Sequence, residues 1–355
     1  MTVMDATRST EDHEAAVLRE LSPTPYACSS IERLSGGVMN TTYKGHLLRP
    51  LSDGATTIVI KIGEEESAML PGMKFSTARC VAEQAMLQHM GDQPHVVDPE
   101  THISVRSPNL YHYFSKSNTQ VMEDIKDSQS LDDLLHSPVA AKMTTATAKA
   151  LGESLGVWIS YFHSTCQSRI NAELSEIIRR NSDDIAQRGE MTKRKALDTA
   201  HLTEPARSYT LKEMDVGCTP EDIVLHGDFT IRNVLIKDSC LHIVDWELCR
   251  YGDRTQDICS MISQLYMSFH FHKLDAAMTM LQAFLSRYSP MTEELAYRIV
   301  LMTGIYFFWV RLYIPEPEAD VAQLLRLAAD LIVMGAERDR KRIAETFLGC
   351  LFTNL

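Results

Sequence analysis

The spacing of hydrophobic residues in the first third of the chain predicts β-strands joined by tight turns. The segment IERLSGGVMNTTYKGHLL combines a short apolar run, a Gly-Gly turn and a run rich in Thr and Tyr, which together predict a hairpin. The β-branched run TTIVIK predicts a third strand that ends at Lys61. STARCVAEQAMLQHM then has the apolar spacing of a helix, and YHYFSKSNTQVMEDI predicts a second hairpin. We therefore expect an antiparallel sheet with one helix in this part of the chain.

From Leu131 onward the apolar residues mostly follow helical spacing. LDDLLHS and ATAKALGESLGVWISYFHS predict helices, and the charged residues 168–215 predict further helices with a variable connection. Strands return in IVLHGDFTIRNVLIKDSCLHIVDWE, and beyond about Thr255 the pattern is helical almost to the end. Because a strand-rich segment precedes a helix-rich one, we predict an α+β fold of two lobes with a cleft between them. The N-lobe is an antiparallel sheet and the C-lobe is mainly helical.

The composition is typical of a globular protein and argues against several classes of partner. The 355 residues suit one large domain or two lobes, and the net charge of −12 disfavours binding to nucleic acid or to an anionic membrane surface. Eight scattered cysteines without a C-x-x-C pair indicate a reducing compartment and no zinc site. The N-terminus lacks the features of a signal peptide, and the longest apolar run, Ile299 to Val310, is shorter than the roughly 20 residues that a bilayer requires. We therefore expect a cytoplasmic protein with no membrane contact.

The motif HGDFTIRN carries the strongest chemical signal in the sequence. It contains Asp228 and Asn233, and Asp245 follows at the end of the next apolar strand. Phosphoryl transfer needs a carboxylate that orients and deprotonates an attacking hydroxyl, and oxygen ligands for the Mg²⁺ that neutralises charge between the phosphates. An Asp, an Asn and a second Asp on adjoining loops supply those groups.

The same residues carry a resemblance to a known family. HGDxxxxN, followed by a strand and Asp-Trp-Glu, resembles the aminoglycoside phosphotransferase/choline kinase superfamily, which shares the protein-kinase fold. The phrases RLSGGVMNTTYKG and IVDWELCRYGDRTQDICSMI look most like the branch that holds methylthioribose kinase and the fungal 4-hydroxytryptamine kinases. The resemblance spans roughly residues 31–265. It implies an ATP-dependent kinase that phosphorylates a hydroxyl group of a small molecule.

The resemblance assigns roles to the residues in and after the motif HGDFTIRN. It implies that Asp228 is the catalytic base and that Asn233 and Asp245 are Mg²⁺ ligands, with Glu247 as a possible additional ligand. Asp257 resembles an aspartate that braces the catalytic loop at the start of the next helix. His226 is interpreted in the same way, as a structural brace rather than a base.

Nucleotide-binding residues are implied in the N-lobe. Ser35, Gly36 and Gly37 resemble the loop that covers the phosphates, where glycines let backbone N–H groups approach, and Asn40 adds a polar contact there. The remaining implied positions are a strand lysine that contacts the α- and β-phosphates, its helical partner and two hinge residues that bind adenine through backbone groups. They are Lys61, Glu83, Glu123 and Ile125.

The resemblance also implies a division of the chain into four segments. We expect an N-terminal helical leader at 1–30, an N-lobe with the nucleotide-binding sheet and helix at 31–122, a hinge at 123–127 and a helical C-lobe with the catalytic loop and metal site at 128–355.

The acceptor is not identified by these motifs. Methylthioribose kinases use paired arginines late in the chain, whereas this sequence has the single Arg311 in GIYFFWVRLY. The aromatic residues of this region are open to two interpretations, a pocket for a flat or cationic ligand or helix core packing. They are Tyr306, Phe307, Phe308, Trp309 and Tyr313. An amino alcohol, a hydroxyindole amine, a sugar and an aminoglycoside-like molecule all remain possible acceptors.

Two other functions are considered besides the small-molecule kinase. A protein kinase is disfavoured because no Ala-Pro-Glu follows Asp245, and because Trp246 and Glu247 replace the usual Phe and Gly. A catalytically inactive pseudokinase or nucleotide-binding scaffold would have lost residues of the catalytic set, which are all present here. The choice between ATP and GTP and the oligomeric state stay open.

Overall fold

The computed structural model describes residues 13–34, 39–65, 75–199, 202–215, 222–310, 317–353 and 355. Five residues named in the sequence predictions lie outside this set, namely Ser35, Gly36, Gly37, Arg311 and Tyr313.

The first half of the chain consists mainly of strands, with helices before, between and after groups of them. In chain order they are α1 (13–21), β1 (Cys28–Arg33), β2 (Asn40–Leu47), β3 (Thr57–Gly63), α2 (Ala78–Gly91), β4 (Val96–Val97), β5 (Ser104–Arg106), β6 (Leu110–Phe114), β7 (Thr119–Glu123), β8 (Gln129–Ser130), α3 (Leu131–His136) and α4 (Thr145–Ser164). The second half is mainly helical. It contains α5 (Ala172–Thr199), α6 (Ala206–Met214), β9 (Ile223–Leu225), β10 (Val234–Lys237), β11 (Cys240–Ile243), β12 (Arg250–Gly252), α7 (Thr255–His272), α8 (Asp275–Arg287), α9 (Glu293–Val310), α10 (Glu318–Glu337) and α11 (Arg340–Ile343).

The chain divides into two compact units. One comprises Met1–Asp92 and Ser107–Asp127, and the other comprises Gln93–Arg106 and Ser128–Leu355. The predicted α+β fold class is confirmed, with an antiparallel sheet in the N-terminal part and mainly helices afterwards. The short segment that carries β4 and β5, which the sequence prediction assigned to the N-lobe, belongs to the second unit. The predicted leader and hinge boundaries stay predictions.

The first unit is built on a five-stranded sheet in the order β1-β2-β3-β7-β6. All its neighbouring strands are antiparallel. Side chains alternate along β2 and β3 between buried and half-buried, as expected for strands with one face on a core. Tyr43 and Ile60 are paired across these strands and are both fully buried. Val17 and Leu21 of α1 join the same cluster, so the apolar face of this helix completes the core of the unit. Burial of each such side chain contributes about 1.5–3 kcal/mol to folding.

The second unit combines the remaining helices with two small sheets. One sheet has the order β4-β5-β11-β10-β8, with β5 parallel to β11, and the other pairs β12 with β9. Helices α4 and α8 approach closely because glycines face the partner backbone. A Cβ on Gly152 would lie 2.2 Å from the carbonyl oxygen of Met280, and one on Gly156 would lie 2.4 Å from that of Phe284. Among the described helices, none has the length and apolar character that a membrane span requires.

Candidate active site

The loop that follows β9 is hydrogen-bonded through its backbone to one carboxylate, that of Asp257. Asp257, in the first turn of α7, accepts the backbone N–H of His226 through Oδ2 at 2.8 Å and that of Gly227 through Oδ1 at 2.9 Å. His163 of α4 contacts the same Oδ2 through Nε2 at 3.2 Å. Gly227 has a φ of +87°, and a Cβ there would lie 1.9 Å from the carbonyl oxygen of Leu248. The loop conformation therefore requires glycine at this position and an acceptor at Asp257.

His226 is a structural element of this loop. Its Nδ1 accepts the backbone N–H of Asp228 at 3.3 Å, so the ring proton is on Nε2, which donates to the carbonyl oxygen of Val244 at 3.0 Å. Burial lowers the pKa of His226 against the opposing charges of Asp257 and Asp245. A neutral ring with both nitrogens engaged is fixed in place. This geometry agrees with the interpretation of His226 as a brace.

Asp228 and Asn233 lie in direct contact. The side-chain nitrogen Nδ2 of Asn233 donates to the carboxylate Oδ2 of Asp228 at 2.8 Å and to its backbone carbonyl at 2.9 Å. Burial raises the pKa of Asp228 to about 6, and the charge of Asp245 adds to the increase, whereas Arg232, Asn233 and Arg250 oppose it. Most of the Asp228 population is therefore an anion at neutral pH, and its basicity is well above that of an exposed aspartate.

Asp245 and Glu247 follow β11 on a turn that begins with an unusual backbone conformation. Asp245 adopts the left-handed region, with φ 68° and ψ 62°, and a short 3-10 turn, Trp246–Leu248, comes next. The carboxylate oxygens of Asp245 and Glu247 lie within 4.8 Å of each other. The backbone N–H of Val244 donates to the carbonyl oxygen of Asn233 at 3.0 Å, which connects this turn to the loop that carries Asp228 and Asn233. Carboxylate and amide oxygens are the donor atoms that Mg²⁺ prefers, so these residues fit that ion.

Lys61 and Glu83 form a buried ion pair within the first unit. The Nζ atom of Lys61, on β3, lies 2.7 Å from Oε1 of Glu83, on α2. Gln120 of β7 donates through Nε2 to the other carboxylate oxygen of Glu83 at 2.9 Å, and it is paired with Lys61 across the sheet. Glu83 is only 2% exposed, so the hydrogen bonds from these partners stabilise a carboxylate that is shielded from water. The pair predicted from sequence order is therefore brought together.

Arg79 is a residue of this region that the sequence analysis missed. Its guanidinium donates through Nη2 to Oδ1 of Asn40 at 3.0 Å, to the carbonyl oxygen of Met39 at 2.9 Å and to that of Glu64 at 2.8 Å. The side chain is 3% exposed. Arg79 thus joins the start of β2 to the segment after β3. A signal was present, because Arg79 lies four residues before Glu83 and therefore on the same face of α2.

The predicted hinge residues lie at the end of β7. Glu123 accepts hydrogen bonds from the backbone and the side-chain nitrogens of Asn109 at 3.0 Å each, and its own backbone N–H donates to the Asn109 carbonyl at 2.9 Å. Ile125 is 9% exposed. The adenine contacts proposed for Glu123 and Ile125 use backbone groups and stay a prediction.

The aromatic residues of α9 divide into two pairs. Phe307 and Phe308 are buried, and the Phe307 ring packs 5.2 Å from that of Tyr266 on α7. Tyr306 and Trp309 are half-buried, with ring centroids 4.9 Å apart. Core packing therefore accounts for the first pair, whereas the second pair is less completely buried.

The chain is similar to known phosphotransferases and kinases. A family model described as "Phosphotransferase enzyme family" matches residues 47–297. The chain is 29% identical over 375 residues to phosphotransferase FrzJ from a Cladobotryum species, with 97% of each chain covered. It is 25% identical over 281 residues to the 4-hydroxytryptamine kinase of Psilocybe cubensis, with 75% of each covered. Amicoumacin kinase hAmiN, solved in complex with AMP-PNP, Ca²⁺ and Ami, has a TM-score of 0.54 at 11% identity, covering 90% of this chain and 93% of that one. That similarity shows a shared fold.

Proposed function

We propose, on the basis that the chain belongs to the phosphotransferase enzyme family, that it transfers the γ-phosphate of ATP to a hydroxyl group of a small molecule. The family was predicted from HGDxxxxN and the Asp-Trp-Glu that follows, and that prediction is confirmed. The observation that best supports the proposed reaction is the contact of Asn233 with the Asp228 carboxylate, at 2.8 Å. The contact uses the nitrogen of the Asn233 amide, so the amide oxygen could serve as a metal ligand beside a basic carboxylate.

In this proposal Asp228 is the catalytic base. Its carboxylate accepts the proton of the acceptor hydroxyl while the hydroxyl oxygen bonds to the γ-phosphorus and the bond from phosphorus to the β,γ-bridging oxygen breaks, leaving ADP. A base with a pKa of about 6 is anionic at neutral pH and still holds a proton better than an exposed aspartate does. Asn233 keeps the carboxylate oriented, and Arg250 supports the loop by donating to the Gly227 carbonyl at 2.9 Å.

Mg²⁺ is the cofactor that the proposed site suits. The nitrogen of the Asn233 side chain is used on Asp228, so the amide oxygen would be the metal ligand, together with carboxylate oxygens of Asp245 and Glu247. Bound there, Mg²⁺ would neutralise negative charge on the phosphates during transfer.

Nucleotide binding is assigned to the first unit. Lys61 would bind the α- and β-phosphates, and the ion pair with Glu83 supports this role because it fixes the ammonium group at the end of its flexible stem. Asn40 would add a contact beside the phosphate-covering loop, and Arg79 holds its side chain at 3.0 Å.

We rank a hydroxylated aromatic amine first among the possible acceptors. Relatives of this chain are named 4-hydroxytryptamine kinases, and the neighbouring rings of Tyr306 and Trp309, which are less buried than Phe307 and Phe308, would be suited to pack against such a molecule. Burial raises the pKa of Tyr306, and the negative charge of Asp228 is among the groups that raise it further. This interaction supports an acceptor position within electrostatic reach of the proposed base. The net charge of −12 also favours a cationic acceptor.

An acceptor screen tests the proposal. Purified protein is incubated with Mg²⁺-ATP and a panel of hydroxytryptamines, choline, ethanolamine, sugars and aminoglycosides, with ADP release and product mass as readouts. We expect a product heavier by one phosphoryl group with a hydroxytryptamine. If the panel gave no product while ATP still bound, and Asp228→Ala behaved like wild type, the inactive pseudokinase would be the better interpretation.

A further inference from the structure

Helix α5 holds the backbone of the turn that carries the proposed metal ligands. Asn181 of α5 donates through its single side-chain nitrogen to the carbonyl oxygen of Glu247 at 3.0 Å and to that of Cys249 at 2.8 Å. Asn181 is 1% exposed, so both hydrogen bonds are shielded from water. These two carbonyls flank the last residue of the 3-10 turn.

Neighbouring residues of α5 extend this attachment along the chain. The Ser182 hydroxyl accepts the backbone N–H of Tyr251 at 2.9 Å, and the Ser175 hydroxyl lies 2.9 Å from the Tyr251 hydroxyl. The Arg179 guanidinium lies over the Tyr251 ring, 5.5 Å from its centroid. The segment from Glu247 to Tyr251 is therefore attached to one helix at successive positions.

The attachment matters because the turn itself provides little rigidity. It enters through the left-handed conformation of Asp245 and makes a single 3-10 turn, so it lacks the repeated backbone hydrogen bonds of a longer helix. The Asn181 nitrogen adds hydrogen bonds to two of its backbone carbonyls. Since the Glu247 side chain starts from a backbone whose carbonyl is fixed, its orientation depends on Asn181.

We propose that Asn181 is a positioning residue for the divalent cation: through the Glu247 carbonyl it fixes the turn whose carboxylates hold the metal. This inference rests on the proposed function, because it assumes the metal site at Asp245 and Glu247. It assigns no chemical step to Asn181, which contacts neither carboxylate in the hydrogen bonds described. Groups that orient metal ligands typically contribute about 10–100-fold to metal affinity.

Asparagine suits this position for a chemical reason. One amide nitrogen has two hydrogens and can serve two carbonyl oxygens at once. Leucine has a similar size and provides no donor, so Asn181→Leu would remove the hydrogen bonds to both carbonyls. Serine provides one donor on a shorter side chain, so Asn181→Ser would retain part of the function with little steric disturbance.

The test measures metal binding directly. Mn²⁺ is titrated into the full-length wild type, Asn181→Leu, Asn181→Ser and the control Ser175→Ala, and free Mn²⁺ is followed by electron paramagnetic resonance. The control removes a hydroxyl contact from the same helix without touching the Glu247 carbonyl. We expect the Mn²⁺ dissociation constant to rise about 10-fold or more in Asn181→Leu, by less in Asn181→Ser and little in Ser175→Ala. The Mg²⁺ concentration for half-maximal turnover should rise in the same order, with the KM for the acceptor unchanged.

Two outcomes are distinguishable. If wild type bound Mn²⁺ but both Asn181 variants, still folded by thermal melting, matched Ser175→Ala in affinity, the role of Asn181 would be wrong and the proposed function would stand. A wild type that neither bound Mn²⁺ nor transferred phosphate would instead count against the proposed function, and Asn181 would lose its role with it. If Asn181→Leu failed to fold, the Asn181→Ser comparison alone would decide.

Discussion

The side-chain nitrogen of Asn233 binds Asp228 twice, at its carboxylate and at its backbone carbonyl. Two hydrogen bonds from one nitrogen fix the orientation of the amide, so the amide oxygen is turned away from Asp228. In the proposed reaction the two residues have separate roles. Asp228 would supply the base, and Asn233 would supply a neutral oxygen ligand for the metal.

Asp228→Asn should abolish most phosphotransferase activity. The amide cannot accept the acceptor proton, and a general base typically contributes about 100–10,000-fold to the rate. The dissociation constant for ATP should change little, because nucleotide binding is assigned to the other unit. Turnover is measured by ADP release and ATP affinity by calorimetry. Asp238→Asn, in the exposed turn between β10 and β11, is the matched control and should retain wild-type turnover. Loss of ATP affinity with turnover spared would contradict the assignment.

Lys61→Ala should reduce kcat/KM for ATP by at least about ten-fold. The substitution removes the ammonium group proposed to bind the phosphates and takes the ion-pair partner from the buried Glu83 carboxylate, which keeps its hydrogen bond from Gln120. Steady-state kinetics with varied ATP provide the measurement, and Lys116→Ala, in the exposed turn between β6 and β7, is the control. The same kinetic loss in both variants would mean that the loss of any positive charge has this effect, and that the position of Lys61 beside Glu83 is not its cause.

Tyr306→Leu should raise the KM of the acceptor while leaving the KM of ATP unchanged. The substitution removes flat ring surface and the contact with Trp309, whose ring lies 4.9 Å away. Tyr209→Leu, on α6, serves as the control because its hydroxyl contacts Glu337 at the surface. Unchanged acceptor kinetics in Tyr306→Leu would favour the alternative in which this aromatic pair is part of the helix packing.

Asp257→Asn should destabilise the second unit and make its free energy of unfolding less dependent on pH in acid. Burial alone would raise the pKa of Asp257, but the hydrogen bond and charge of His163 and the hydrogen bond from the Gly227 N–H oppose it, and the pKa is lowered. A lowered pKa gives stability that is present above the unfolded value of about 3.9 and is lost as pH falls through the folded value. The free energy of unfolding in urea should therefore fall below about pH 4 more steeply in wild type than in the variant. At pH 7 the variant should be about 2–5 kcal/mol less stable. Parallel pH curves for the two proteins would refute this account.

Gly152→Ala should destabilise the protein by about 1–3 kcal/mol, because overpacking forces neighbouring groups apart. The added methyl group would lie 2.2 Å from the Met280 carbonyl oxygen, a backbone atom that cannot rotate away. Gly91→Ala is the matched control, since a Cβ at the end of α2 meets nothing within 4 Å. In thermal or urea unfolding, Gly152→Ala should be less stable than wild type, whereas Gly91→Ala should be as stable as wild type or slightly more stable. Equal effects would mean that α4 and α8 can separate at little cost.

The sequence predicted those features that depend on local pattern or on motif order. Alternation predicted β2 and β3, and the order of motifs predicted that Lys61 would meet Glu83. The spacing within HGDFTIRN brought Asp228 and Asn233 together. Helical spacing could have indicated the position of Arg79, but the backbone contacts of Arg79 and Asn181 could not be predicted in this way, because they include carbonyls 40 and 66 positions away in the chain. A carbonyl group is present in every residue, so it leaves no mark in the sequence.

The parallel pairing of β5 with β11 sets an order for folding on the ribosome. All five strands of the first unit have been synthesised by Glu123, and their antiparallel neighbours are available at once. Strand β5 emerges earlier than the last of them, yet its partner, Cys240–Ile243, is translated far later. Nascent chains tend to fold from the N-terminus as their units become complete. The edge of Ser104–Arg106 that pairs with β11 must therefore wait for this neighbour until Ile243 has been translated.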